Sequence, residues 1–231
     1  MNSSKEEVPI AESLPHGIIK EDVLSKRFNC KPELTNYVTI FDYDDTLLPS
    51  SWISYLMEMK IPITNEIRKQ LDAVDRTASA LLSEAIKYST VLVITNAESG
   101  WVEESSCLFM PRFHSMLSNV TIISARSLYE STYPGCSSLW KEQAFKDELD
   151  RVLSYNCYSS VLSIGDSLHE REAVFSYGRN HSHSLVKSIK LIDAPSPSHL
   201  ATQQELICNS LYTLIFSPKQ LDLKLSVQGS V

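Results

Sequence analysis

Short apolar runs rich in β-branched residues recur along this chain, and segments of helical periodicity lie between them. The runs cover residues 38–42, 91–95, 120–124, 161–164 and 185–192. They are too short for helices and nearly continuous in apolar character, so they read as strands buried on both faces. The clearest helical stripe follows a capping Thr64. It places Ile67, Leu71, Val74, Ala78, Leu81, Leu82, Ala85 and Ile86 three or four residues apart through about Tyr88. Further helices are expected at 51–59, 101–110, 139–153, 170–177 and 197–216. Strands alternating with helices dictate a parallel sheet whose connections cover both faces. The expected fold class is therefore α/β, a three-layer, doubly wound, Rossmann-like parallel sheet.

The 231 residues suffice for one such domain with tails. Residues 1–36 mix charges with Pro9, Pro15, Gly17 and Pro32 without periodicity, and are expected to be an extension, partly disordered at its start. The domain is expected over 37–217, with 218–231 as a C-terminal tail. A formal charge of −7 argues against a broad nucleic-acid-binding surface, which needs a basic patch. The opening Met-Asn-Ser-Ser-Lys-Glu-Glu lacks the apolar core of a signal peptide, and no stretch reaches the ~20 apolar residues of a membrane span. Five scattered cysteines without a Cys-x-x-Cys pair suit reduced thiols. These features lead to an expected cytoplasmic location, with Cys107 and Cys157 packing as small hydrophobes.

The first run ends abruptly in Asp42-Tyr43-Asp44-Asp45-Thr46. A charge buried without a partner is costly, so carboxylates on the end of a core strand need a reason. A metal ion beside a phosphorylated ligand supplies one. Asp42 and Asp44 would diverge on a regular strand, but a turn at the strand end could bring both toward one pocket. Thr95 and Asp166 also close apolar runs, and ligands of doubly wound sheets bind at the carboxyl ends of strands, near the switch point of strand order.

Asp42-x-Asp44-x-Thr46 after an apolar strand resembles the first motif of the haloacid dehalogenase superfamily. The family's remaining signals occur here in order. Thr95 ends the next strand in Val-Leu-Val-Ile-Thr-Asn, Lys141 stands in Ser-Leu-Trp-Lys-Glu-Gln, and Ser-Ile-Gly-Asp-Ser-Leu-His-Glu supplies Asp166 and Glu170. Each piece alone is an ordinary turn or surface residue; the ordered set carries the likeness, which spans residues 38–170. The resemblance implies a phosphatase. Asp42 would be the nucleophile that forms an aspartyl-phosphate, and Asp44 the general acid and then base. Thr95, Asn96 and Lys141 would hold the phosphoryl group, with Thr46 ordering the first loop. Mg2+ would be held by Asp42, the Asp44 carbonyl and Asp166, with Glu170 as a further ligand, directly or through water. Phosphatases of the family keep the second Asp, where its ATPases commonly carry Thr.

Neither the interval 47–94 nor 96–140 has room for an independent α/β cap, though 50–63 could form a small helical lid. The family's capless members often act on macromolecules, so the expected partner is a phosphorylated substrate, macromolecular or small. Two other readings compete. One is a catalytically idle member serving as a binding or scaffold module, and the other is mutase-type transfer, which would need a larger cap to exclude water. Trp101 is expected to pack near the site entrance and Arg126 to form a surface salt bridge.

Overall fold

The computed structural model describes residues 6–9, 36–153 and 158–226. Six strands form one parallel sheet: β2 (Tyr37–Phe41), β3 (Thr90–Thr95), β4 (Thr121–Ser124), β5 (Ser159–Gly165), β6 (Ser184–Lys190) and β7 (Leu221–Ser226). A short strand, β1 (Glu6–Pro9), joins the edge beside β7, giving the order β1-β7-β6-β5-β2-β3-β4. The chain winds outward from β2 through β3 to β4, then returns to β5 on the other side of β2 and winds outward again. The switch of direction lies between β2 and β5, the place where such sheets open a crevice.

Alternation along each strand divides two cores, as a period of two requires. Phe41, Val91, Val93, Leu162 and Ile164 meet α2 (Asn65–Tyr88), α3 (Trp101–Phe109) and α8 (Pro197–Phe216) on one face. Val38, Ile40, Leu92, Ile94 and Val161 meet α6 (Ser137–Val152) and α7 (Leu168–Asn180) on the other. Two face layers of helix around a parallel sheet make this the three-layer Rossmann-like architecture expected. Shorter helices α1 (Ser50–Glu58), α4 (Pro111–His114) and α5 (Ala125–Tyr129) fill the connections.

Local chemistry sets several helix ends. The Thr64 side chain accepts from Ile67 N at 3.3 Å, and Glu66 and Lys87 sit at the favourable ends of the α2 dipole. No helix among the described residues is long and apolar enough to cross a membrane.

Three expectations change. Residues 221–226 are not tail: Leu221, Leu223 and Leu225 alternate with Asp222, Lys224 and Ser226, and β7 pairs with β6 as a half-buried strand. Within the expected extension, 6–9 form β1 against β7, while 1–5 and 10–35 lie outside the described residues. Cys107 is exposed, because α3 turns Val102, Ser105 and Ser106 inward instead; Cys157 lies outside the described residues.

Candidate active site

Asp42 follows the last residue of β2, and its N–H donates to Ile164 O of β5 at 2.9 Å. The sheet thus continues for one bond beyond the strand and fixes Asp42 at the crevice. The chain then turns back tightly. Leu47 N and Leu48 N both donate to Tyr43 O, Asp45 N donates to Leu48 O, and Asp45 takes the left-handed backbone (φ 54°). Asp residues tolerate that region better than most. The Asp45 carboxylate accepts from Ser51 N and Ser51 Oγ, tying the turn to α1.

Lys141 enters from the first turns of α6 and is almost wholly buried, at 1% exposure. Its ammonium donates to Asp42 Oδ1 at 2.5 Å and to Glu170 Oε1 at 2.6 Å. Glu170 is placed by a capping box on α7. Its Oε2 accepts from Ser167 N at 3.1 Å and Ser167 Oγ at 2.6 Å, while Ser167 Oγ accepts from His169 N. Gly165 makes room for it: a Cβ there would lie 2.6 Å from Glu170 Cγ. Asp166 stands at the end of β5, where the Lys190 ammonium holds its backbone carbonyl at 2.6 Å.

One oxygen each from Asp42, Asp166 and Glu170 lie within 4.8 Å of one another. Lys141 pairs with two of these carboxylates, and the titration behaviour follows first from burial and then from the charges gathered here. Burial pushes the Asp42 carboxyl well up; Lys141 pulls it back, and Glu170 and Asp166 push it further. Asp166 is raised to about 6 by burial, then by Glu170 and Asp45. Burial also opposes charge on Glu170, but Lys141 and Ser167 outweigh it and bring that group down to about 2. For Lys141, burial is outweighed by Asp42 and Glu170, so the ammonium stays charged well above its ordinary range.

Asp44 points to different partners. Its Oδ2 accepts from Thr95 Oγ1 at 3.0 Å and its Oδ1 from Trp101 Nε1 at 2.9 Å. Thr95 in turn accepts from Ala97 N at 2.9 Å. Asn96 donates from Nδ2 to Ser137 O at 3.2 Å, joining the end of β3 to the start of the helix that carries Lys141. Asn96 Oδ1 is buried with no hydrogen-bond partner among the described residues, as is Thr46 Oγ1. The Thr46 carbonyl accepts from Gln204 Nε2 at 3.0 Å, which pins the first loop to α8.

The expected site residues therefore gather at one end of the sheet in two sets. Asp42, Lys141, Asp166 and Glu170 line the switch crevice, and Asp44 sits with Thr95. Glu170 has both oxygens engaged by Lys141 and Ser167, so its visible work is to anchor the lysine and cap the helix. Trp101 packs against the core, as expected, and its indole N–H also donates to Asp44. Arg126 pairs with Glu130 and Glu98, as expected of a surface residue. A separate cavity of about 240 Å³ beside α6 and α7, lined by Tyr133, Leu139, Gln143, Lys146 and Asn180 among others, includes none of these residues.

The donor set fits a hard divalent cation. Such ions take oxygen ligands and keep several waters, so two or three carboxylates suffice. No family model matches the chain, and neither curated proteins nor solved structures give a match.

Proposed function

We propose that the chain is a magnesium-dependent phosphatase of the haloacid dehalogenase type, cleaving phosphate monoesters through an aspartyl-phosphate on Asp42. The observation that carries this reading is the buried junction of Asp42, Lys141 and Glu170 beside Asp166. Groups from β2, α6, α7 and the end of β5 meet there at the switch point. A purely structural crevice has no need to gather two carboxylates on a single buried ammonium with a third close by, since buried ion clusters rarely add stability over an apolar packing.

Bound Mg2+ would be held by Asp42, the Asp44 backbone carbonyl and Asp166, and would supply charge neutralisation for the phosphoryl group. The rest falls to the chain. Asp42 attacks phosphorus as the P–O bond to the leaving group breaks, and Asp44 gives its proton to the departing oxygen. Asp44 then takes a proton from water as that water displaces Asp42. Lys141 keeps its charge against the nucleophile and offsets the negative charge of the transferring group. Thr95 and Asn96, at the end of β3, are within the same loop system and suit contact with phosphoryl oxygens.

The described residues place no second α/β unit over the crevice; α1 and the loop to Thr64 are the connection nearest the first motif. An open mouth suits a phosphate carried on a macromolecule as well as a small ester. The test is phosphate release from an aryl phosphate by purified protein, with Mg2+ and with excess chelator. Release that needs Mg2+ and disappears in Asp42→Asn is expected. Folded, Mg2+-supplied protein that releases nothing from aryl or protein phosphates would overturn the reading in favour of an idle binding module.

A further inference from the structure

Trp101 opens α3 directly after Gly100, whose φ of 93° lies in the region glycine alone enters freely. That backbone bend turns the indole back toward the end of β2. The indole N–H can only donate, and its acceptor is Asp44 Oδ1 at 2.9 Å. Thr95 Oγ1 holds the other oxygen at 3.0 Å. Both tethers come from one short segment, 95–101, and that segment is itself braced. Ala97 N donates to Thr95 Oγ1, Ser124 Oγ donates to Ala97 O at 2.6 Å, Ser99 N donates to Ser127 Oγ at 3.0 Å, and Trp101 N donates to Glu98 O at 3.2 Å. The carboxylate of Asp44 is thus aimed by the β3–α3 connection.

We infer that Trp101 is the positioning residue for Asp44, and that it sets how poor a leaving group the site can expel. The inference rests on the proposed phosphatase reading. A proton donor must sit within hydrogen-bond reach of the leaving oxygen, and small misplacements cost rate steeply. In the first step a bond forms from Asp42 to phosphorus, the ester P–O bond breaks, and the Asp44 proton moves to the leaving oxygen. An alkyl alcohol needs that proton because it departs badly as an alkoxide. A 4-nitrophenol departs as its anion and scarcely needs it. In this first step Trp101 therefore matters for the first kind of ester and little for the second; the later attack of water is common to both.

The experiment compares wild type, Trp101→Phe and Trp101→His on glycerol 2-phosphate and 4-nitrophenyl phosphate, both with Mg2+. Phenylalanine keeps an aromatic body but deletes the donor; histidine keeps a ring N–H. Trp101→Phe is expected to lose about 10–100-fold in kcat/KM on the alkyl ester, a part of the roughly 10²–10⁴-fold a general acid contributes, and less than about threefold on the aryl ester, because kcat/KM reports the step that expels the alcohol and not the later attack of water. Trp101→His is expected to recover part of the alkyl activity. Equal losses in kcat/KM on both esters, in either variant, would mean that Trp101 only packs and would overturn the inference. So would an unchanged kcat/KM on the alkyl ester in Trp101→Phe. Wild-type protein inactive on both esters would instead withdraw the phosphatase reading, and the positioning role with it.

Discussion

Lys141 Nζ lies 2.5 Å from Asp42 Oδ1, joining two residues 99 positions apart in the sequence, and the same ammonium reaches Glu170 at 2.6 Å. All three are buried. Removing the cation leaves two carboxylates in a crevice with no compensating charge, which is far costlier than losing a surface pair. Lys141→Met is therefore expected to destabilise the protein by about 3–5 kcal/mol in chelator, measured by urea unfolding. Added Mg2+ should return part of that loss while turnover stays abolished. A variant as stable as wild type in chelator would show that the carboxylates do not depend on Lys141.

Gly165 is needed for the side chain of Glu170 and not for a backbone conformation of its own. Its own conformation is ordinary, but the Glu170 carboxyl folds over it, with Oε2 only 2.8 Å from where a Cβ would stand. Gly165→Ala should push Glu170 off Lys141 and off the Ser167 cap. The expected cost is about 1–3 kcal/mol of stability with a larger fall in turnover. Parallel urea and kinetic measurements check it, and unaltered turnover would contradict the role assigned to Glu170.

Lys187 offers a pH test away from the crevice. It is fully buried in β6, donating to Ser160 Oγ at 2.9 Å and Ile215 O at 2.5 Å, and burial lowers its pKa to about 7. An unfolded lysine titrates near 10.4. Between those values the unfolded chain holds a proton that the folded one lacks, so stability must rise with pH across roughly 7 to 10. Below about 7 both states are protonated and the contribution is flat at its least favourable. Lys187→Met should remove the rise and be more stable than wild type at pH 7 by about 1–3 kcal/mol, after the lost hydrogen bonds are set against the gain. Identical slopes in urea midpoints of the two proteins would refute this.

Much of the architecture is legible in the sequence because its signals are local. The run 91–94 is continuously apolar, 161–164 is broken only by Ser163, and 64–88 repeats at helical spacing; the structure places β3, β5 and α2 there. β7 escapes because a half-buried strand shows only three alternating leucines after a proline. The convergence of Asp42, Lys141 and Asp166 is legible through motif order alone, since the sequence contains no trace of the distances. For Glu170 the sequence does hold a local cue: Ser167-x-x-Glu170 is a capping box, and it commits one carboxylate oxygen to the helix end. The Trp101–Asp44 bond spans 57 residues and has no periodicity, so only the folded chain discloses it. The same holds for Lys187, whose apolar neighbours along β6 say nothing about the carbonyl of Ile215 above it.

The most direct test of the central claim is to catch the covalent intermediate. Protein turning over an aryl phosphate with Mg2+ would be acid-quenched, reduced with borohydride and mapped by peptide mass spectrometry. An acyl-phosphate on Asp42 is reduced to the corresponding alcohol, so the account predicts homoserine at position 42, only with substrate and Mg2+ present and never in Asp42→Asn. Modification at a different residue, or brisk turnover by Asp42→Asn, would contradict it.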